Sequence, residues 1–240
     1  MPPATPNCAA VPQTGVAVNW DGCNKANANL SSAKLSFGSF RGTNFAGANM
    51  TDAKLRGVNM TNANLTGANL TLVLMDTQAK LVGANLTNAN FSNAELNNAD
   101  FTGANVSGTV FEFARLSGAK LPNMDLSGRS LRGVALSNAV LTGTNLSNAN
   151  FQEAYVSGTS VFVGLNLSGA KFRGVNLQST QFTNADLTNA DLTNAQMLGV
   201  KLAGAKLGGV TWTTGKVCAA GSIGKAPGCT PADPASCGCM

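Results

Sequence analysis

The residues best equipped for chemistry are six cysteines, and they are placed unevenly. Cys8 and Cys23 lie near the start of the chain, Cys218, Cys229, Cys237 and Cys239 near its end, and none lies between. Thiolates either close disulfides or hold a soft metal. An even count split two and four, absent from the body of the chain, reads as one disulfide at one end and two at the other. The rival is a four-thiolate metal site at the C-terminal end. Cys237-Gly238-Cys239 lacks the paired two-residue spacing of a zinc ribbon, so disulfides are the expectation and no metal or cofactor is expected. Three disulfides imply an oxidising compartment, meaning extracellular, periplasmic or lumenal, with a signal peptide already removed; free thiols in the cytoplasm are the alternative.

Acid–base chemistry has less to work with. There is no histidine, which removes the commonest general base and every Ser-His-Asp or Cys-His arrangement. The carboxylates that would have to pair, Glu95, Asp100, Asp125, Asp186 and Asp191, recur at polar positions of a regular pattern. Only 11% of residues are charged, against 27 glycines in a 240-residue, 24.3 kDa chain. The net charge is +5, made of +3 over residues 1–75, −1 over 76–199 and +3 over 200–240. Lys34, Lys54, Arg56 and Arg41 form one small basic patch. Phosphate binding asks for denser charge and for stacking aromatics, so nucleic acid is not the expected partner. No eighteen-residue apolar window and no apolar stretch after Met1 occur, so the chain is expected neither to span a membrane nor to carry a leader.

What must position these groups is a five-residue period that runs through most of the chain. It reads Ala, Asn or Asp, Leu or Phe, a small polar residue, then Asn or Gly, as in Ala63-Asn64-Leu65-Thr66-Gly67, Ala84-Asn85-Leu86-Thr87-Asn88 and Ala185-Asp186-Leu187-Thr188-Asn189. Neither a helix nor a long alternating strand keeps a large residue on one side every five positions. A short extended segment does: the central Leu and the Ala two before it point inward, the residue between them points out, and two polar residues turn a corner. Four such sides close a square coil of twenty residues, stacked on the next at about 4.8 Å.

The A-(D/N)-L-x-x pattern resembles the pentapeptide-repeat family over about residues 18–217. The resemblance implies an all-β fold, a right-handed quadrilateral parallel β-helix, or β-solenoid, with Leu and Phe ladders inside. Stepping by twenty gives four apolar ladders, which include Phe40, Leu65, Leu86, Phe101, Leu126, Leu146, Phe172 and Leu187 and run from Trp20 to Val217. Lys25 alone breaks the apolar rule. About ten coils at about 4.8 Å predict a rod roughly 48 Å long, with a cap at 1–19, a β-helix at 20–217 and a Cys-rich cap at 218–240, both caps loops stapled by disulfides.

Two steps are six residues long, Met75 to Leu81 and Val161 to Leu167, and each predicts a bulge or an enlarged corner. Around the second, Tyr155, Phe162, Val163 and Val140 are expected to form an exposed apolar cluster, a candidate contact site. A coil filled by Leu and Phe leaves no pocket for a small-molecule substrate, so the chain is read as non-enzymatic: a rigid scaffold or interaction rod whose partner is another protein or a further copy of itself. Some members of the family mimic DNA, bind topoisomerase and protect against quinolones; that mimicry needs strong negative charge, which a chain of +5 lacks. A third reading rests on the second side. There Asn44, Asn64, Asn85, Asn105, Asn145 and Asn166 line up beside Thr66, Thr87, Ser107, Ser127, Ser147, Ser168 and Thr188, a regular surface that could bind ice or polysaccharide.

Overall fold

The computed structural model describes residues 6–9, 17–156, 162–215, 217 and 218, in two compact units, Met1–Met124 and Asp125–Met240. Both are built from the same backbone bookkeeping, visible in one five-residue segment. Ala63 N–H donates to Met60 O at 3.0 Å and closes the corner. Asn64 N–H reaches back one coil to Thr43 O at 2.9 Å, and Leu65 N–H reaches forward to Asn85 O at 2.7 Å. Thr66 N–H donates to the Asn64 Oδ1 at 3.2 Å, and Gly67 N–H to Thr87 O at 2.8 Å. All five amides are therefore satisfied, three of them between coils, which is what a backbone turned away from water every few residues requires. The Asn or Asp of the repeat is explained by this count: its side chain supplies the acceptor for the one amide that stacking cannot serve.

Each side contributes a single bridging residue, and the bridges are parallel and twenty residues apart, as in Asn24↔Asn44↔Asn64. No run of residues among those described is long enough to count as a strand. The β character thus resides in isolated bridges, because three residues per side are consumed before the next corner begins. The result is a repeat β-solenoid.

The corners need a left-handed residue at their second position, two after the central residue, the backbone a type II turn demands. Glycine or asparagine usually fills it, as in Gly67 at φ +64° and Asn88 at +57°. Both tolerate that region better than other residues.

Inside, Phe40, Leu65, Leu86, Phe101, Leu126, Leu146, Phe172 and Leu187 are buried. In the first unit Phe91 stacks on Phe111 with ring centroids 5.7 Å apart; in the second, Phe151 stacks on Phe172 at 4.7 Å. These are ladder neighbours one coil apart, and offset ring stacking adds to their burial. Arg129 is an outlier in the second unit: it stands where Ala149, Ala170 and Ala190 follow on the same side, and its Nε is buried without a partner.

Two ladder assignments change, at Val161 and at Val217, while the first insertion leaves its ladder intact. The first six-residue step is an enlarged corner, with Thr77 and Gln78 both left-handed, and bridges across it lengthen to twenty-one residues, as in Asn59↔Lys80. The second insertion falls earlier than the sequence suggested, between Val156 and Phe162. Phe162, not Val161, is the central residue of its side: it closes the corner to Leu165 N–H, is fully buried, and stacks on Phe182 at 5.2 Å. Phe162 is therefore not part of an exposed cluster. At the far end, Val217 is 54% exposed and does not join a ladder. The chain turns back there, pairing Thr211 with Val217 in an antiparallel bridge above buried Trp212, so stacking ends with Trp212 and not at 217.

Candidate interaction surfaces

The disulfide chemistry is real at both ends of the described chain. Cys8 and Cys23 are bonded, with Cα atoms 5.5 Å apart, tying residues 6–9 to the first coil. Cys218 is also disulfide-bonded, while Cys229, Cys237 and Cys239 lie outside the described residues. Lys25, the one charged ladder residue, is held by the same cap. Its Nζ donates to Cys8 O at 2.7 Å and sits 4.0 Å from the Trp20 ring centroid, a cation–π contact. Desolvation lowers its pKa.

The carboxylates face outward and are tied up locally. Partial burial alone would raise the Asp100 and Asp186 pKa values, but the hydroxyl and amide of the residue two further on, with a lysine one coil away, hold both below the usual range. Those lysines are Lys120 at 3.5 Å from Asp100 and Lys206 at 3.1 Å from Asp186. Asp125 is lowered chiefly by the Ser127 hydroxyl and amide. Glu95 pairs with Arg115 at 3.2 Å. A carboxylate held ionised in water beside a cation is a structural group, the reverse of a tuned general acid. No group of three potential metal ligands occurs among the described residues, and no helix there is long and apolar enough to cross a membrane.

The basic patch is partly neutralised where it forms. Lys54 pairs with Asp52 at 2.7 Å and Arg56 with Asp76 at 3.0 Å, while Lys34 lies one coil from Lys54 and Arg41 belongs to a different corner. In the second unit, Val140 and Val163 share a surface depression of about 450 Å³ with Leu141 and Leu165. Tyr155, 74% exposed, is not part of its lining. On the second side, Asn44 Nδ2 donates to Asn24 Oδ1 at 3.0 Å and Asn64 Nδ2 to Asn44 Oδ1 at 3.1 Å, so amides do ladder from coil to coil. The hydroxyls beside them turn to the same amides: Thr66 and Thr87 each donate to the asparagine two before, at 2.7 Å.

Sequence reading missed a different feature. Phe37, Leu72 and Phe113, all in the first unit, occupy the left-handed corner position at φ +62°, +60° and +58° and are 63%, 50% and 41% exposed. A bulky residue there costs about 1–2 kcal/mol, and the Phe37 ring lies over Gly57 of the next coil. All three corners flank the fourth side, whose outward residues are Lys34, Lys54, Leu74, Glu95 and Arg115, bridged in that order. In the first unit the second and third sides carry Asn at every such place but Val110. The sign was legible in the repeat: Phe or Leu stood where Gly or Asn belongs.

The family model for pentapeptide repeats matches in eight copies, over residues 17–45, 39–71, 77–108, 94–128, 130–161, 160–189 and 170–209. Among solved structures, one similar chain is HetL, a pentapeptide repeat protein involved in heterocyst differentiation regulation in the cyanobacterium Nostoc. The identity is 28%, over 83% of this chain and 91% of that one, with a TM-score of 0.44. Full-length QnrB1, a plasmid-mediated fluoroquinolone resistance protein, is 16% identical over 74% and 90% of the two chains, at 0.36. A pentapeptide repeat protein of the Arabidopsis thaliana thylakoid lumen is 21% identical over 62% and 71%, at 0.18. A search of curated protein sequences found no match. With parallel bridges repeating every twenty residues and repeat matches over most of its length, this chain belongs to the pentapeptide-repeat family.

Proposed function

We propose that the protein is a non-enzymatic interaction scaffold: an exported right-handed quadrilateral β-helix of about ten coils, stapled by disulfides at both ends, that presents its outer faces to a protein partner. The observation that carries this reading is the division of labour within the repeat. Ladder side chains fill the core, the Asn oxygens accept backbone amides, the Thr hydroxyls donate to those same Asn oxygens, and what is left for function is the set of outward and corner residues that depart from the pattern. Recognition by a rigid surface with a few non-repeat side chains costs little ordering entropy on binding. The disulfides at Cys8–Cys23 and at Cys218 support an oxidising location.

The amide ladder of the second side favours one further reading, binding of an ordered surface such as ice or polysaccharide. The hydroxyls that such a surface would use donate instead to neighbouring asparagines, which weighs against it.

The test is the intact mass of natively purified protein alkylated without reduction, followed by affinity capture from its own compartment. No added mass, together with a protein partner lost on Tyr155→Ser or Val163→Ser, is the expected result. Six alkylated thiols would remove the export argument, and thermal hysteresis or glycan binding without a protein partner would replace the scaffold reading.

A further inference from the structure

The lower edge of the first coil is where stacking begins, and it is only partly closed. One coil up, Asn44 N–H and Asn49 N–H reach down to Cys23 O and Ala28 O, both at 2.9 Å. The equivalent donors of coil one, Asn24 N–H and Asn29 N–H, have no such acceptor among the described residues. The apolar floor is open as well: Ala28, Leu30 and Ala33 are half-buried, whereas Ala48, Met50 and Ala53 above them are fully buried. Unpaired donors beside exposed apolar groups are what a further chain adds to. Two groups stand in the way of that addition. On side one, Asn7 N–H donates to Asn19 O at 2.9 Å and takes the acceptor that another coil would use. On side two, the inward central position holds half-buried Lys25, where Phe45 and Leu65 above it are fully buried. The Lys25 ammonium leans toward side one, 2.7 Å from Cys8 O and 4.0 Å from the Trp20 ring centroid. Both contacts rest on residues 6–9, which the Cys8–Cys23 bond ties to coil one.

We propose that Lys25 and the Cys8–Cys23 cap together form a stop that keeps a second copy of the chain from adding to this edge. An ammonium is a poor floor for a neighbouring coil, because covering it removes it from water, and an unpaired buried charge is strongly unfavourable. No carboxylate is at hand to offset it: Asp21, the one acidic residue of coil one, already accepts from Ser39 Oγ and Arg41 N–H, both at 2.7 Å. Lys34, the other cation of the coil, adds charge of the same sign. The chain that is held off is a second copy because this edge carries the coil period of the chain itself. In the second unit the corresponding upper edge is occupied at Gly209 and Thr211 by Cys218 and Val217. A released lower edge therefore meets the same edge of another copy about a two-fold axis, and such a contact closes as a dimer. This inference goes beyond the scaffold reading and stands or falls apart from it.

Sedimentation equilibrium of four full-length chains, from micromolar to near-millimolar concentration, tests it: the unaltered protein, Lys25→Leu, Cys8→Ser with Cys23→Ala, and all three substitutions together. Cys23 stands at the inward position that alanine fills in most repeats, so Cys23→Ala removes the bond without disturbing the coil. The unaltered protein should be monomeric throughout. Lys25→Leu should bring a dimer into range, tighter by about tenfold or more, and the triple variant should be tighter still. Both dimers should dissociate on dilution and keep the circular-dichroism spectrum of the unaltered protein, which aggregation of a misfolded chain would not do. Lys25→Arg, which keeps the charge, should stay monomeric. Where Lys25→Leu loses its cooperative melt, Lys25→Met, unbranched like lysine, replaces it in the series. Variants that fold and remain monomeric at every concentration overturn the proposal, as does an unaltered protein that dimerises as tightly as Lys25→Leu. Neither outcome bears on partner capture, which decides the scaffold reading separately.

Discussion

Sides two and three of the first unit and its side four share one backbone, one coil spacing and one ladder chemistry, yet their outer surfaces are opposites. On sides two and three the outward Asn24, Asn44, Asn64, Asn85 and Asn105, and Asn29, Asn49, Asn69 and Asn90, each accept an amide bond from two residues on. On side four the same position holds Lys34, Lys54, Leu74, Glu95 and Arg115, flanked by aromatic and aliphatic corners. The comparison teaches how to read a repetitive protein. Where the repeat is obeyed, the outward residue serves its own backbone, and where it is broken on side four, ion pairs such as Lys54–Asp52 and Arg115–Glu95 take the place of the amide bond.

The largest effect that can break this comparison comes from a carboxylate on each surface. Leu86→Asp, in the ladder of side two, places a charge in a filled core and should cost about 4 kcal/mol or more, enough to abolish the thermal transition. Leu74→Asp, outward on side four, should cost about 1 kcal/mol or less; equal losses in circular-dichroism melts would show that the two residues do not differ in burial. Next comes the corner. Gly108 has φ +70°, and a Cβ there would collide with Asn88 Oδ1, so Gly108→Ala should lose about 1–2 kcal/mol. On the other surface the sign should reverse: Leu72→Asn, at φ +60° and half exposed, should gain about 0.5–1 kcal/mol, measured by chemical denaturation.

The smallest effect is with pH. The Asp52 pKa is lowered, first by the hydrogen bond from Lys54, and Asp100 is lowered despite its partial burial. A folded pKa below the unfolded one means that the contribution is complete above the unfolded carboxylate value of about 4 and fades as pH falls through the lower, folded value. Tm should therefore be flat near neutrality and decline in acid. The Asp100→Asn variant should decline less, and the amide-lined sides two and three should add nothing to the slope.

Much of this was legible before any coordinates. Leu65, Leu86, Phe101 and the other ladder residues stand at a strict spacing that only a square coil satisfies, and the thiols stood apart from the body. Phe162 was placed one residue out of register because Val161 and Phe162 are both apolar, so composition cannot say on which side of them an inserted residue falls. Val217 has the right spacing and the right chemistry for a ladder, yet it pairs with Thr211 in an antiparallel bridge and stands 54% exposed.

The sequence by itself determined the coil: the period, the inward ladders, and the Gly and Asn corners follow from local geometry repeated many times. Only the tertiary structure decided where the extra residues are absorbed and that Asn Oδ1 completes the amide count. It alone gathered Phe37, Leu72, Leu74 and Phe113 around one face. The physical reason is that stacking turns a separation of twenty residues into one coil spacing, so surface neighbours are set by the sum of all corners between them. A single inserted residue, nearly neutral in local energy, shifts every neighbour that follows.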